Sequence, residues 1–101
     1  MDTITILSEY KVDKEQRETY LNLIHELKDQ LHHFGAEHIT IYEGTDQPDL
    51  FVEEFVVANM DVYTEIKDIR KNEQSVFWQK FNGCISGGKD KVHMWAFKKL
   101  K

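Results

Sequence analysis

Residues 49–58, DLFVEEFVVA, place two adjacent carboxylates, Glu53 and Glu54, in the middle of an apolar, β-branched run. Such a run reads as a β-strand. Successive side chains of a strand point to opposite faces, so one glutamate must go to each side of the sheet. Apolar neighbours flank both of them. A strand of this composition belongs where both faces of a sheet are covered. At least one charge then lies among core residues, a costly arrangement unless it is paired.

The rest of the chain supplies one covering. Residues 3–12, TITILSEYKV, alternate as a first strand. Asp13 is placed to cap a helix, with Gln16 as a capping-box partner. Tyr20, Ile24, Leu27, Leu31 and Phe34 then recur at helical spacing, and Gly35 is placed to end that helix. Residues 37–43, EHITIYE, alternate as a second strand, and GTDQPD is turn chemistry ahead of the third. Asn59 is an N-cap for a second helix, with Asp61 in its first turn and Val62, Tyr63, Ile66 and Ile69 on its buried side. NEQSVFWQKFNGCISGG predicts a further short helix through Phe77, Trp78, Phe81 and Ile85, ended by Gly87 and Gly88. KVHMWAFKKL is the last strand. No internal repeat, low-complexity tract or linker interrupts the 101 residues, which suit a single domain over 1–101.

The order βαββααβ describes an α+β ferredoxin-like sandwich, a four-stranded antiparallel sheet with helices on one face. The other face would carry large apolar groups, with Phe51, Phe55, Trp95 and Phe97 on one parity of two strands. A patch of that kind marks an interface or a ligand site, and pairing two sheets in a symmetric homodimer would bury it.

With this element order, the PDLFVEEF third strand and the aromatic last strand VHMWAF, the chain resembles the dimeric α+β barrel superfamily. The antibiotic-biosynthesis monooxygenase-like proteins are a branch of it. The resemblance spans nearly the whole chain. It implies a homodimer that closes two sheets into a barrel, with a small-molecule cavity inside the barrel or between each sheet and its helices. Some branches oxidise aromatic substrates without a cofactor, and others degrade haem. The haem-degrading branch uses an Asn in the first strand, a Trp in the third and a His in the following helix. Here the first strand has no Asn, Val57 stands near the end of the third, and residues 60–71 contain no His. No active-site set carries over residue by residue.

The aliphatic sets Ile4 and Ile6, Ile39 and Ile41, Val52 and Val56, and Val92, Met94 and Ala96 suit packing under helices. Taking them as the helix face puts Glu53, Phe51 and Phe55 on the barrel face. His93 and Trp95 join them from the last strand, and His38, Thr40 and Tyr42 from the second. Glu53 and His93 are then the candidate catalytic pair, a carboxylate base raised by burial and an imidazole relay. His38, Tyr42, Phe51, Phe55 and Trp95 are the candidate ligand contacts. Glu54 falls on the helix face and needs a partner there, a helix terminus or Tyr63, unless it lies near an edge. On this assignment Glu53→Leu should leave stability equal or higher, and Glu54→Leu should lower it.

Other chemistries fit poorly. A net charge of −5 argues against nucleic acid, and two glutamates interrupt the aromatics that an RNA-recognition strand would need. His25, His32, His33 and His38 include no pair at i and i+4, so no metal is expected. GCISGGKDK lacks the spacing of a phosphate loop, and no motif calls for a flavin or nicotinamide. Cys84 is the single cysteine, which excludes an internal disulfide and suits a reducing compartment. No apolar run is long enough to span a bilayer, and MDTITILSEY has no signal-peptide pattern, so a cytoplasmic location is expected. The partners expected are a second copy of the chain and a small molecule.

Overall fold

The computed structural model describes residues 3–101. Strand β1 spans Ile4–Lys11, helix α1 Arg17–His33, β2 Glu37–Glu43, β3 Leu50–Val57, α2 Met60–Arg70, α3 Val76–Cys84 and β4 His93–Lys98. Short 3-10 turns at Lys14–Gln16 and Lys89–Lys91 precede α1 and β4. The sheet runs β2-β3-β1-β4, with every neighbouring pair antiparallel. The helices lie on one side, as the ferredoxin-like reading requires. No helix among the described residues is long and apolar enough to cross a membrane.

Local signals account for most helix ends. Gly35 adopts φ +107°, donating to the His32 carbonyl while Ala36 donates to Leu31, and these paired bonds close α1. Asn59 accepts from the Val62 amide at 3.0 Å and starts α2. Ser75 does the same for α3 through the Trp78 amide. Asp13 behaves differently from expectation. It precedes a 3-10 turn rather than α1, and its side chain makes no capping bond. Helix α3 stops at Cys84, and Ile85 is extended to bridge Val12.

Arg17 replaces Asp13 as the fastener at the start of α1. Its guanidinium donates to both Glu43 carboxylate oxygens, at 2.5 and 2.8 Å, and to Asp49 at 2.8 Å. Glu43 also accepts from the Asp49 amide at 2.8 Å. This clamp holds the β2–β3 turn, where Asp49 has φ +69°.

The face assignment of β3 is the main correction. Cross-strand partners share a face, and β1 pairs Ile6 with Phe55, Ser8 with Glu53 and Tyr10 with Phe51. Phe51, Glu53 and Phe55 therefore lie under the helices and are buried. Val52, Glu54 and Val56 face the open side. The physical reason lies in α1 and α3. Tyr20, Trp78 and Phe81 offer aromatic surface to the ring of Phe51 and its neighbours, with Tyr20 and Phe51 centroids 4.4 Å apart. Beta-branched valines do not fill that space.

Glu53 is tolerated there because Arg70, in the last turn of α2, meets it. Two bonds of 2.6 and 2.9 Å join guanidinium to carboxylate, with both side chains buried. The guanidinium also lies over Trp78 at 5.0 Å and Phe81 at 5.3 Å. Burial works against the Arg70 charge, but the Glu53 carboxylate outweighs it and keeps the group firmly protonated. Beside the pair, the Tyr10 and Tyr20 hydroxyls hydrogen-bond at 2.7 Å, and burial pushes both phenols up. Ser8 Oγ, Arg70 Nε and Trp78 Nε1 are buried without a partner among the described residues.

These contacts set the response of the fold to mutation and to acid. Glu53→Leu strands the Arg70 charge and should lower unfolding free energy by about 3–5 kcal/mol in urea melts, while Glu53→Leu with Arg70→Met should recover most or all of it. A neutral Glu53→Leu single variant would mean that the pair is not formed. Acid acts on the Arg17 clamp. Arg17 and then the Asp49 amide pull the Glu43 pKa from 4.5 to about 2. The folded-state value is depressed, so this stabilisation is present above 4.5 and is lost as pH falls towards 2. Arg17→Ala should flatten the pH dependence of stability in that window.

Candidate functional site

Strand β4 is an edge strand, and a cleft of about 270 Å³ runs beside it. The last turn of α2 supplies one wall with Lys67, Arg70 and Lys71. Asn82 of α3 and Lys89 of the turn before β4 complete that side. Val92 and then His93, Met94 and Trp95 of β4 line the other side. Asn82 donates to the Arg70 carbonyl at 2.8 Å and fixes α3 against the end of α2. The glycines at 87 and 88, with φ +83° and +79°, turn the chain back so that Lys89 reaches the same cleft.

Of the residues marked by sequence, His93 and Trp95 meet here. Two apart on β4, they share the open side of the strand, with ring centroids 6.3 Å apart. Glu53 is one step behind the wall, reached only through Arg70. Phe51 and Phe55 are core residues. They and Glu53 leave the set of barrel-face residues.

Tyr42 does lie on the open face, half-exposed at 51%, but on the opposite edge strand. Three strand spacings, roughly 14 Å, separate it from β4. Its hydroxyl donates to Glu54 at 3.0 Å, so Glu54 finds its partner on the open face and not at Tyr63. His38 is exposed, with φ +55°, inside a register irregularity between Glu37 and Thr40. The converging cluster of carboxylate, imidazoles, phenol and indole is therefore split between the two edges of the sheet.

Sequence reasoning missed Lys67, Arg70, Lys71 and Lys89. Arg70 had a signal: it continues the buried stripe of Tyr63 and Ile66, where a cation makes sense only against a buried anion. The lysines had none, because their meeting depends on how α2 and the turn before β4 fold together.

Chemically, the cleft sets a cationic wall on the helix side of the sheet beside the edge strand, whose imidazole and indole, His93 and Trp95, project towards its open side. An imidazole can take a proton from a bound hydroxyl, and ammonium groups stabilise the resulting anion. Burial raises the Cys84 thiol, so it is not an activated nucleophile. Among the described residues no three His, Cys, Asp or Glu side chains gather as a metal site.

No family model matches the sequence, and no curated protein is significantly similar to it. Solved structures are similar over the whole chain. A proposed antibiotic biosynthesis monooxygenase from Bordetella bronchiseptica superposes with a TM-score of 0.78 at 12% identity, covering 100% of both chains. The chain has the fold of the antibiotic-biosynthesis monooxygenase-like proteins. SnoaB from Streptomyces nogalater, a cofactor-independent oxygenase, gives 0.73 at 11% identity over 100% of this chain and 96% of its own. A conserved protein from Methanosarcina mazei gives 0.70 at 12%, over 98% and 94%. At these identities the likeness is one of fold.

The Tyr42–Glu54 contact gives a direct check on the open face. The bond to Glu54, and then its charge, raise the Tyr42 phenol above 10. In an NMR titration of the tyrosine ring carbons, Glu54→Gln should bring the Tyr42 midpoint down. An unchanged midpoint would mean the two side chains do not meet.

Proposed function

We propose that the protein is a homodimer that takes a compact aromatic molecule into the cleft beside β4 and oxidises it with molecular oxygen, without a cofactor. The observation that supports this most is that His93, Trp95 and a cationic wall border one cleft at the edge of the sheet. An electron-rich phenol or quinol bound there would lose its proton to His93. The cations would stabilise the phenolate, which is the form able to give an electron to oxygen. SnoaB, which shares the fold, is a cofactor-independent oxygenase.

The open sheet face supports the dimer. Tyr42, Trp95 and Phe97 are each about half-exposed on it, among partly buried Leu7, Val52 and Val56. An apolar sheet face of this kind needs covering. A second copy would cover it through a two-fold axis and, in an obligate homodimer, bury on the order of 2,000 Å² or more. Trp95 belongs to both that face and the cleft, so the partner sheet would bound the ligand site. The buried free thiol of Cys84 suits a cytoplasmic location.

One observation favours a second reading, a ligand-binding dimer without catalysis. Glu53, the buried carboxylate of β3, is committed to Arg70.

Light scattering should give about twice the chain mass at micromolar concentration, and Trp95→Glu with Phe97→Glu should shift it to monomer. A soluble wild-type monomer would remove the barrel arrangement. Oxygen uptake across a panel of phenols and quinols should show protein-dependent turnover that His93→Ala lowers by about 100-fold or more. Binding without uptake for every compound would leave the non-catalytic reading.

A further inference from the structure

The cleft beside β4 is positively charged in a chain that is acidic overall. We propose that its ligand is a compact aromatic carboxylate, its acid group held by Lys67, Lys71 and Lys89 and its ring against Trp95. This deepens the proposed function and rests on the cleft being the ligand site.

The chain has 18 Asp and Glu against 13 Lys and Arg. Four of the nine residues that line the cleft are basic and none is acidic. A concave site with charges of one sign concentrates potential well beyond what exposed residues produce singly. Arg70 contributes little of this, being neutralised by Glu53. Lys89 touches Glu73, but that carboxylate is 75% exposed, and such a surface pair is weak. Lys67 lies over the Tyr63 ring at 5.2 Å. Neither Lys67 nor Lys71 makes an ion pair among the described residues.

Helix electrostatics explains part of this pattern, since cations favour the last turn of a helix. It does not explain Lys89, which arrives from a separate element. Nor does it explain the lack of any acid in the lining of so acidic a protein.

The wall also selects the kind of anion. Helix α2 presents its C-terminal end, the negative end of its dipole, and no α-helix N-terminus lines the cleft. The row of amides at an α-helix N-terminus that usually cradles a phosphate dianion does not belong to this lining. Mobile ammonium groups around a singly charged carboxylate fit better. Val92, Met94 and Trp95 supply the apolar side, and about 270 Å³ admits one ring or two fused rings.

Isothermal titration with salicylate and with its neutral isostere salicylamide tests this, using wild type and Lys67→Ala with Lys71→Ala. Both lysines are exposed, so the double variant should fold. Salicylate should bind at least about tenfold more tightly than salicylamide, and the double variant should lose about tenfold for salicylate and much less for salicylamide. Raising the salt concentration should weaken salicylate alone. Equal binding of acid and amide would overturn the carboxylate while leaving the cleft as a ligand site. Salicylate binding that ignores both substitutions would overturn it as well. If neither compound binds, the ligand-site reading falls with it.

Discussion

The buried pair of Glu53 and Arg70 is the contact on which the arrangement depends. It joins the middle of β3 to the last turn of α2 through two short bonds. The same guanidinium stacks on Trp78 and Phe81 of α3, and Asn82 of α3 holds the Arg70 carbonyl. One side chain thus links a strand and two helices, and it stands in the wall of the cleft. An apolar pair of similar volume would pack the helices with equal or greater stability. A charge kept where packing would be cheaper points to a task beyond holding the fold. Placing the end of α2 against β4, with its lysines around one cleft, is such a task.

The sheet divides labour between its faces. The helix side encloses the ion pair, the tyrosine pair and the aromatic cluster of α3. The open side has two polar or aromatic groupings at its edges, Tyr42 with Glu54 and His93 with Trp95, separated by aliphatic residues of β1 and β3. The second grouping borders the cleft beside β4. Strand β4 therefore contributes both to the open face and to the border of the cleft.

Element order and type were legible in the sequence because they rest on local signals. Period-two alternation marked the strands, the stripe from Tyr20 to Leu31 marked α1, and Asn59 and Gly35 marked helix ends. The faces of β1, β2 and β4 were also legible, since aliphatic residues occupy one parity in each. Strand β3 was not. Its two parities are both apolar with a central glutamate, and the choice between them depends on partners far along the chain: Ile6, Tyr20, Phe81 and Arg70. A one-residue slip exchanges every side chain between faces, so Glu53 and Glu54 exchanged roles together. The candidate site was half legible for the same reason. His93 and Trp95 come from one strand and were seen, whereas the lysines come from separate elements.

The central claim is that the cleft between α2 and β4 is where this protein meets its ligand. Chemical-shift mapping of the isotope-labelled protein with hydroxynaphthoate tests it most directly. Perturbations should gather at Lys67–Lys71, Lys89 and Val92–Trp95, leaving Thr40, Tyr42 and Glu54 unmoved. Perturbations centred on Tyr42 and Glu54, or none along β4, would contradict it.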